Sequence, residues 1–152
     1  MESFPHLSTV AQTIQTAIAP VFLLAGIGGI LNVMVGRLAR IVDRARAIEQ
    51  LHPRSTGPEH DRHVWELRLI NRRIAVINRA IFLCVCSALA ICLVVALMFV
   101  SEIIDLHIGL VVAVAFITSM LLLVAGLVCF LIEVQMSLAA ITIRKELLED
   151  GT

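Results

Sequence analysis

Residues 108–132 read IGLVVAVAFITSMLLLVAGLVCFLI, a run of 25 residues without one charged side chain. Two similar charge-free runs, 17–36 and 80–101, contain 20 and 22 residues. A helix that crosses ~30 Å of hydrocarbon needs about 20 residues. A helix on the surface of a soluble protein keeps a polar face over such a length. The three runs therefore predict an all-α integral membrane protein with three transmembrane helices.

The composition supports this prediction. Of the 152 residues, 59% are hydrophobic and 16% are charged, whereas soluble proteins average ~45–50% and ~25%. These values exclude a disordered chain, a collagen-like fibre and a secreted disulfide scaffold, and they argue against a soluble enzyme. The length predicts a single membrane domain covering 1–152. Because no Lys or Arg precedes Arg37, the first run is interpreted as a span and not as a signal peptide.

The distribution of charge predicts the orientation. The net charge is zero, yet all 12 Lys and Arg lie between Arg37 and Arg79 or at Arg144 and Lys145. Lys and Arg near the ends of spans are retained in the cytoplasm. The N-terminus is therefore expected outside the plasma membrane, and the connection 37–79 and the C-terminus are expected inside.

The cytoplasmic segments are expected to be helical. Residues 37–51 have an apolar face beside a basic stripe, and a break at 52–58, which contains Pro53, Gly57 and Pro58, is expected to end this helix. Residues 61–79 continue without a helix breaker into the second span. Residues 133–149 again have a helical pattern after the third span. Two arrangements of 37–51 stay open: a stalk in which the helices pack together, or a helix that lies on the anionic inner leaflet.

Two Arg-rich stretches carry a resemblance to a known family. They are LARIVDRARAI at 38–48 and ELRLINRRIAVINRAI at 66–81. Together they resemble the inner edge of small three-span inner-membrane proteins, a bacterial family catalogued only as a domain of unknown function. The resemblance covers about residues 10–148 and implies a bacterial inner-membrane location. It implies no activity.

The sequence contains no recognisable reaction centre. The four cysteines lie within spans, and Cys84 and Cys86 project about 200° apart on a helix, so they cannot grip one metal ion. No nucleophile–base pair, acid dyad or metal-ligand set has usable spacing. We therefore expect no enzyme activity, no catalytic residues, no metal site and no cofactor.

The first span carries a row of small and polar residues at four-residue steps. The row begins in the polar approach to the span and ends at its inner edge. Small residues at this spacing allow close helix contact, either with another span or with a second copy. If copies surround an axis, the same row is a candidate pore lining. The members of the row are Gln12, Thr16, Gly28, Asn32 and Gly36.

Charged residues mark the inner ends of the spans. Arg37, Arg40 and Arg44 form a basic stripe that either favours anions at a pore mouth or only anchors the helix. Glu133 follows the third span, and Arg37 and Arg79 are expected at the same depth. Because a carboxylate at a membrane edge is stabilised by pairing with Arg, an ion-pair cluster is predicted there, with ion handling as the alternative.

Two functional hypotheses follow. The first is a homo-oligomeric channel for ions or small solutes, in which the first span lines the axis. The alternative is a membrane-anchored interaction or scaffold protein that works through its Arg-rich cytoplasmic helices. The expected partners are the lipid bilayer, further copies of the chain and, for the alternative, a cytoplasmic protein. No nucleic-acid partner is expected.

Overall fold

The structure, a computed structural model, consists of three long helices joined by short segments. It describes the backbone over residues 5–51, 58–104 and 108–149, and the side chains over 14–50, 64–104 and 108–138. Helix α1 covers Pro5–Leu51, α2 covers Pro58–Ile104 and α3 covers Gly109–Glu149. The predicted all-α fold with three long apolar helices is confirmed.

Each predicted cytoplasmic helix is continuous with a predicted span. Helix α1 runs through Pro20 to Leu51, and α3 runs past Glu133 to Glu149. Helix α2 begins at Pro58, three residues before the predicted start. Proline suits the first turn, because its missing N–H would have no intrahelical acceptor there. Residues 52–57 of the predicted break and the connection 105–107 lie outside the described residues.

Each helix includes a segment that is long and apolar enough to cross a membrane. These segments lie within Ile14–Gln50, Val64–Ile104 and Gly109–Leu138. In their most apolar stretches, only 17%, 22% and 17% of the residues are buried within the single chain. The remaining apolar surface is far larger than a soluble monomer exposes. The protein is therefore an integral membrane protein.

Each helix buries a narrow stripe that repeats every seven residues. This spacing is typical of left-handed coiled coils, in which one seam of each helix faces its partners. The residues outside the stripe are available for contact with lipid or with other proteins. The buried repeats are Pro20, Ile27, Met34, Ile41 and Ile48 on α1; Ile70, Ile77, Cys84 and Ile91, with Ala80, Ser87 and Val94, on α2; and Ser119, Gly126 and Glu133 on α3.

The helices contribute to two compact units. Unit 1 comprises Met1–Leu31 and Leu83–Val124, and unit 2 comprises Asn32–Phe82 and Ala125–Thr152. In unit 1 the buried Ser87 hydroxyl donates to the Ser119 carbonyl oxygen at 2.8 Å, which joins α2 to α3. Hydrocarbon offers no hydrogen-bond partner to a hydroxyl group, so a bond to another helix satisfies it.

Unit 2 contains an apolar core between α1 and α2. In this core, Ile41 and Ile48 on the apolar face of 37–51 pack with α2, as the packed arrangement predicts. Beside it, Arg44 Nη2 donates to Glu66 Oε1 at 2.9 Å. The buried core residues are Ile41, Ile48 and Ile70, with Ala45, Leu67 and Ile74 packed against them.

Candidate functional site

A fully buried carboxylate is the chemical centre of unit 2. The side chain of Glu133, the first charged residue after the 108–132 run, is 0% exposed. Arg73 Nη2 donates to Glu133 Oε1 at 3.1 Å. On the other oxygen, Arg37 Nε lies 3.5 Å from Glu133 Oε2. One carboxylate from α3 therefore pairs with one guanidinium from each of the other two helices.

Two further side chains fix the geometry of this cluster. The Ser137 hydroxyl, one turn after Glu133, donates to Glu133 Oε1 at 3.0 Å. It also lies within hydrogen-bonding distance of Arg73 Nη2. The Arg37 guanidinium stacks over the Phe130 ring, 5.6 Å from its centroid, which is within the range of a cation–π interaction. We call Arg37, Arg73, Glu133 and Ser137 the carboxylate cluster.

The cluster is a polar layer inserted into an apolar seam. Glu133 continues the seven-residue row of Ser119 and Gly126 on α3, and Arg73 lies seven residues before Ala80 on α2. Burying an ion pair costs desolvation energy that its Coulomb attraction only partly offsets. A polar layer in a coiled coil does, however, disfavour every register that would separate its members.

The cluster carries excess positive charge and incompletely used hydrogen-bonding groups. Two guanidinium groups share one carboxylate, so the sum of formal charges is +1. Among the described side chains, the buried Arg73 Nε and Glu133 Oε2 atoms have no hydrogen-bond partner. Native proteins seldom leave buried polar atoms in this state, so each such atom calls for an explanation.

The predicted ion pair between Glu133 and Arg79 is not among the described contacts, and Arg73 takes the place of Arg79. Arg79 is exposed, whereas Ile77, two residues earlier, is fully buried. Residues two apart on a helix project about 200° apart, so Arg79 points away from the seam. Arg73 is four residues before Ile77 and lies about 40° from its direction. Arg73 is seven residues before Ala80, but only the structure shows that Ala80 is buried.

The small and polar row of α1 faces outward. Thr16, Gly28, Asn32 and Gly36 are all exposed, and the Gln12 side chain lies outside the described residues. A Cβ atom added at Gly28 or Gly36 would meet nothing within 4 Å. At Gly28 and Gly36, therefore, no other described span of the same chain packs against this face.

The predicted basic stripe divides into different environments. Arg37 belongs to the carboxylate cluster and Arg44 pairs with Glu66. Arg40 is exposed, and its Nε donates to the Gly36 carbonyl oxygen of its own helix at 3.4 Å. Two of the three guanidinium groups thus have a carboxylate partner, which lowers the local excess of positive charge.

The described part of the chain contains no metal-ligand cluster. Within it, no three His, Cys, Asp or Glu side chains lie close enough together to hold a metal ion. All four cysteines are outside disulfide bonds, and Cys84 is buried in the α2 seam. A cysteine buried among apolar groups packs as a small hydrophobic residue and is chemically inert.

Comparison with known proteins gives a family assignment. Residues 17–143 match the family described as "Protein of unknown function (DUF2721)". No curated protein and no solved structure matches the chain. The matched range contains all three charge-free runs and the whole carboxylate cluster. The chain therefore belongs to DUF2721, a family whose function is unknown.

Proposed function

We propose that the protein is a homo-oligomeric channel for ions or small solutes in a bacterial inner membrane, with the outward face of α1 lining its axis. The observation that carries this proposal is the exposure of Asn32 between Gly28 and Gly36. All three residues belong to the charge-free run 17–36.

The physical argument starts from the amide of Asn32. Hydrocarbon offers no hydrogen-bond partner to an amide, so polar residues in spans face either another helix or a water-filled cavity. The seam of α1 is already occupied by residues such as Ile27 and Met34, which are 2% and 0% exposed. The outward face is therefore the part of α1 available to further copies, and glycines permit their close approach.

The charges near α1 suggest a weak selectivity. Arg40 follows Gly36 by one turn and is exposed, whereas Arg37 and Arg44 are partly neutralised by carboxylates. Rings of basic side chains favour anions at the mouth of a pore. One guanidinium from each subunit leads us to expect a modest preference for anions over cations.

Flux through liposomes tests the channel. We expect the purified protein to conduct ions or a small dye, and Asn32→Leu to lower the flux at least about tenfold, because an apolar constriction loses its water. Val33→Leu is the matched control, since Val33 is the next residue, is 56% exposed and is already apolar. Absence of flux under both voltage and membrane tension would reject the channel.

A second test concerns orientation, for which we propose the N-terminus outside and residues 37–79 inside. In a background where the four native cysteines are alanine, Ser3→Cys should react with an impermeant maleimide on intact cells. Ser55→Cys should react only after the membrane is permeabilised. The reverse pattern would show that the Arg-rich helices face the outside.

One observation favours the alternative, a membrane-anchored interaction protein. An open groove of about 430 Å³ lies along α1 and α2 in unit 2, and its lining combines apolar residues such as Leu67 with the polar residues Glu49, Arg68 and Asn71. Such a groove suits an amphipathic helix of another protein. This function requires no flux, so the liposome measurement separates the two proposals. Neither proposal includes catalysis.

A further inference from the structure

We propose that Arg37 and Arg73 form a binding site for a phosphate group, supplied by the head group of a phospholipid or by a free phosphate ion. The site consists of the two guanidinium groups that Glu133 holds together. It differs from the proposed pore lining, which lies on the outward face of α1, and it does not depend on the channel.

The first argument is geometric. The two guanidinium groups touch different oxygens of one carboxylate, at 3.1 and 3.5 Å, so two like charges are held side by side. Like charges separate in water unless an anion lies near both. Glu133 supplies one negative charge and leaves a net charge of +1, and neither guanidinium is paired with a second carboxylate among the described residues.

The second argument is accessibility. The Arg37 and Arg73 side chains are 30% and 24% exposed, whereas Glu133 is 0% exposed. An approaching anion can therefore reach the two arginine side chains but not the carboxylate that would repel it. A buried negative charge beside two partly exposed arginine side chains has the polarity expected of an anion site.

The third argument concerns hydrogen-bond donors. Each guanidinium has five N–H donors, but the described hydrogen bonds use only Arg73 Nη2, and Arg37 Nε makes an ion pair at 3.5 Å without a hydrogen bond. Arg73 Nε has no acceptor among the described side chains. Planar guanidinium groups bind phosphate oxygens through paired hydrogen bonds, and stacking on Phe130 holds the Arg37 plane in a defined orientation.

The position along the helices favours a lipid as the source of the phosphate. Arg37 directly follows the charge-free run of α1, and Glu133 directly follows that of α3. Charge-free runs of this length correspond to the hydrocarbon core, and phospholipid phosphates lie just beyond it. Arg37 and its partner Arg73 therefore lie beside the ends of charge-free runs, where lipid head groups are expected.

The test uses the full chain in detergent, with native mass spectrometry and thermal unfolding as readouts. Phosphatidylglycerol should be retained and should raise the unfolding temperature, whereas diacylglycerol with the same acyl chains should do neither. Inorganic phosphate forms a separate arm: stabilisation at submillimolar concentration would identify a soluble ligand, and its absence would identify the lipid. Equal retention of diacylglycerol would overturn the proposal.

Matched variants distinguish lipid binding at this site from nonspecific attraction of the lipid to basic side chains. Arg37→Gln should weaken phosphatidylglycerol binding about tenfold, the loss expected for a charge-assisted hydrogen bond. Arg40→Gln removes the same charge one turn later, where no carboxylate cluster exists, and should weaken binding less than about threefold. Equal losses in both variants would overturn the proposal.

A final variant tests whether the loss of lipid binding could result from loss of the fold. Arg37→Lys keeps the charge beside Glu133 and removes the planar fork, so its helical circular dichroism should be unchanged and its lipid affinity should lie between the wild type and Arg37→Gln. A folded Arg37→Lys protein with lipid affinity below that of Arg37→Gln would contradict recognition through these guanidinium groups.

Discussion

Replacing Glu133 by glutamine is expected to lower the free energy of unfolding by about 3–5 kcal/mol. The substitution preserves the size of the side chain but leaves Arg37 and Arg73 without a negative partner. Two neighbouring guanidinium groups then repel each other in a partly desolvated position. Denaturant unfolding in mixed micelles, followed by helical circular dichroism, measures the loss.

The control is an ion pair whose N–O distance is similar but whose side chains are more exposed to solvent. Arg44 and Glu66 are joined at 2.9 Å, but their side chains are 59% and 33% exposed. Glu66→Gln should therefore cost only about 0.2–1 kcal/mol. If the two substitutions cost the same, the burial of Glu133 would not be the source of the effect.

A double substitution gives an independent check. In Glu133→Gln with Arg73→Gln, the buried charge and one of its partners are removed together, so less repulsion remains than in Glu133→Gln alone. The double variant should therefore lose less stability than the sum of the two single losses, because the groups interact directly. Additive losses would show that Arg73 and Glu133 do not stabilise each other.

The sequence predicted the fold because the helix lengths are set by a strong physical limit. Charge-free runs of 20 or more residues leave few alternatives to membrane helices. The extensions beyond the runs were also predictable, because 37–51 and 61–79 have apolar stripes at helical spacing. The start of α2 was set three residues too late because Pro58 was treated as a helix breaker and not as a residue of the first turn.

The candidate site was only partly predictable. An ion-paired Glu133 followed from its position at the end of an apolar run, but its partner on α2 depends on which face of that helix turns inward. Arg79 directly precedes the second run in the sequence. The register of the buried seam selects Arg73 instead.

The seven-residue seam was hidden by its surroundings. On α1 the buried positions Ile27 and Met34 lie among residues that are nearly all apolar, so hydrophobicity does not distinguish the inside of the bundle from the lipid side. The four-residue spacing of small and polar residues identified Gly28, Asn32 and Gly36 instead, and these lie on the outward face. In a membrane helix, the positions of small and polar residues predict helix–helix contacts better than the positions of apolar residues do.

Truncating Ile91 is expected to be the most damaging change among the apolar side chains of unit 1. Ile91 is 0% exposed in the α2 seam, and Ile91→Ala should cost about 2 kcal/mol through the cavity that it leaves. This lies at the low end of values for water-soluble proteins, because lipid solvates the separated helices nearly as well as a protein core does. The same mixed-micelle unfolding experiment measures it.

Leu89→Ala is the matched control two residues earlier on α2. Leu89 is 65% exposed within the single chain, so its truncation should cost less than about 0.5 kcal/mol if it faces lipid or detergent. A loss as large as that of Ile91→Ala would mean that Leu89 is packed against another copy of the chain. In that case the cost should fall as the protein is diluted in detergent, because binding between copies stabilises the folded state by mass action. A large loss that does not change on dilution would contradict the assignment of Leu89 to the outer surface of α2.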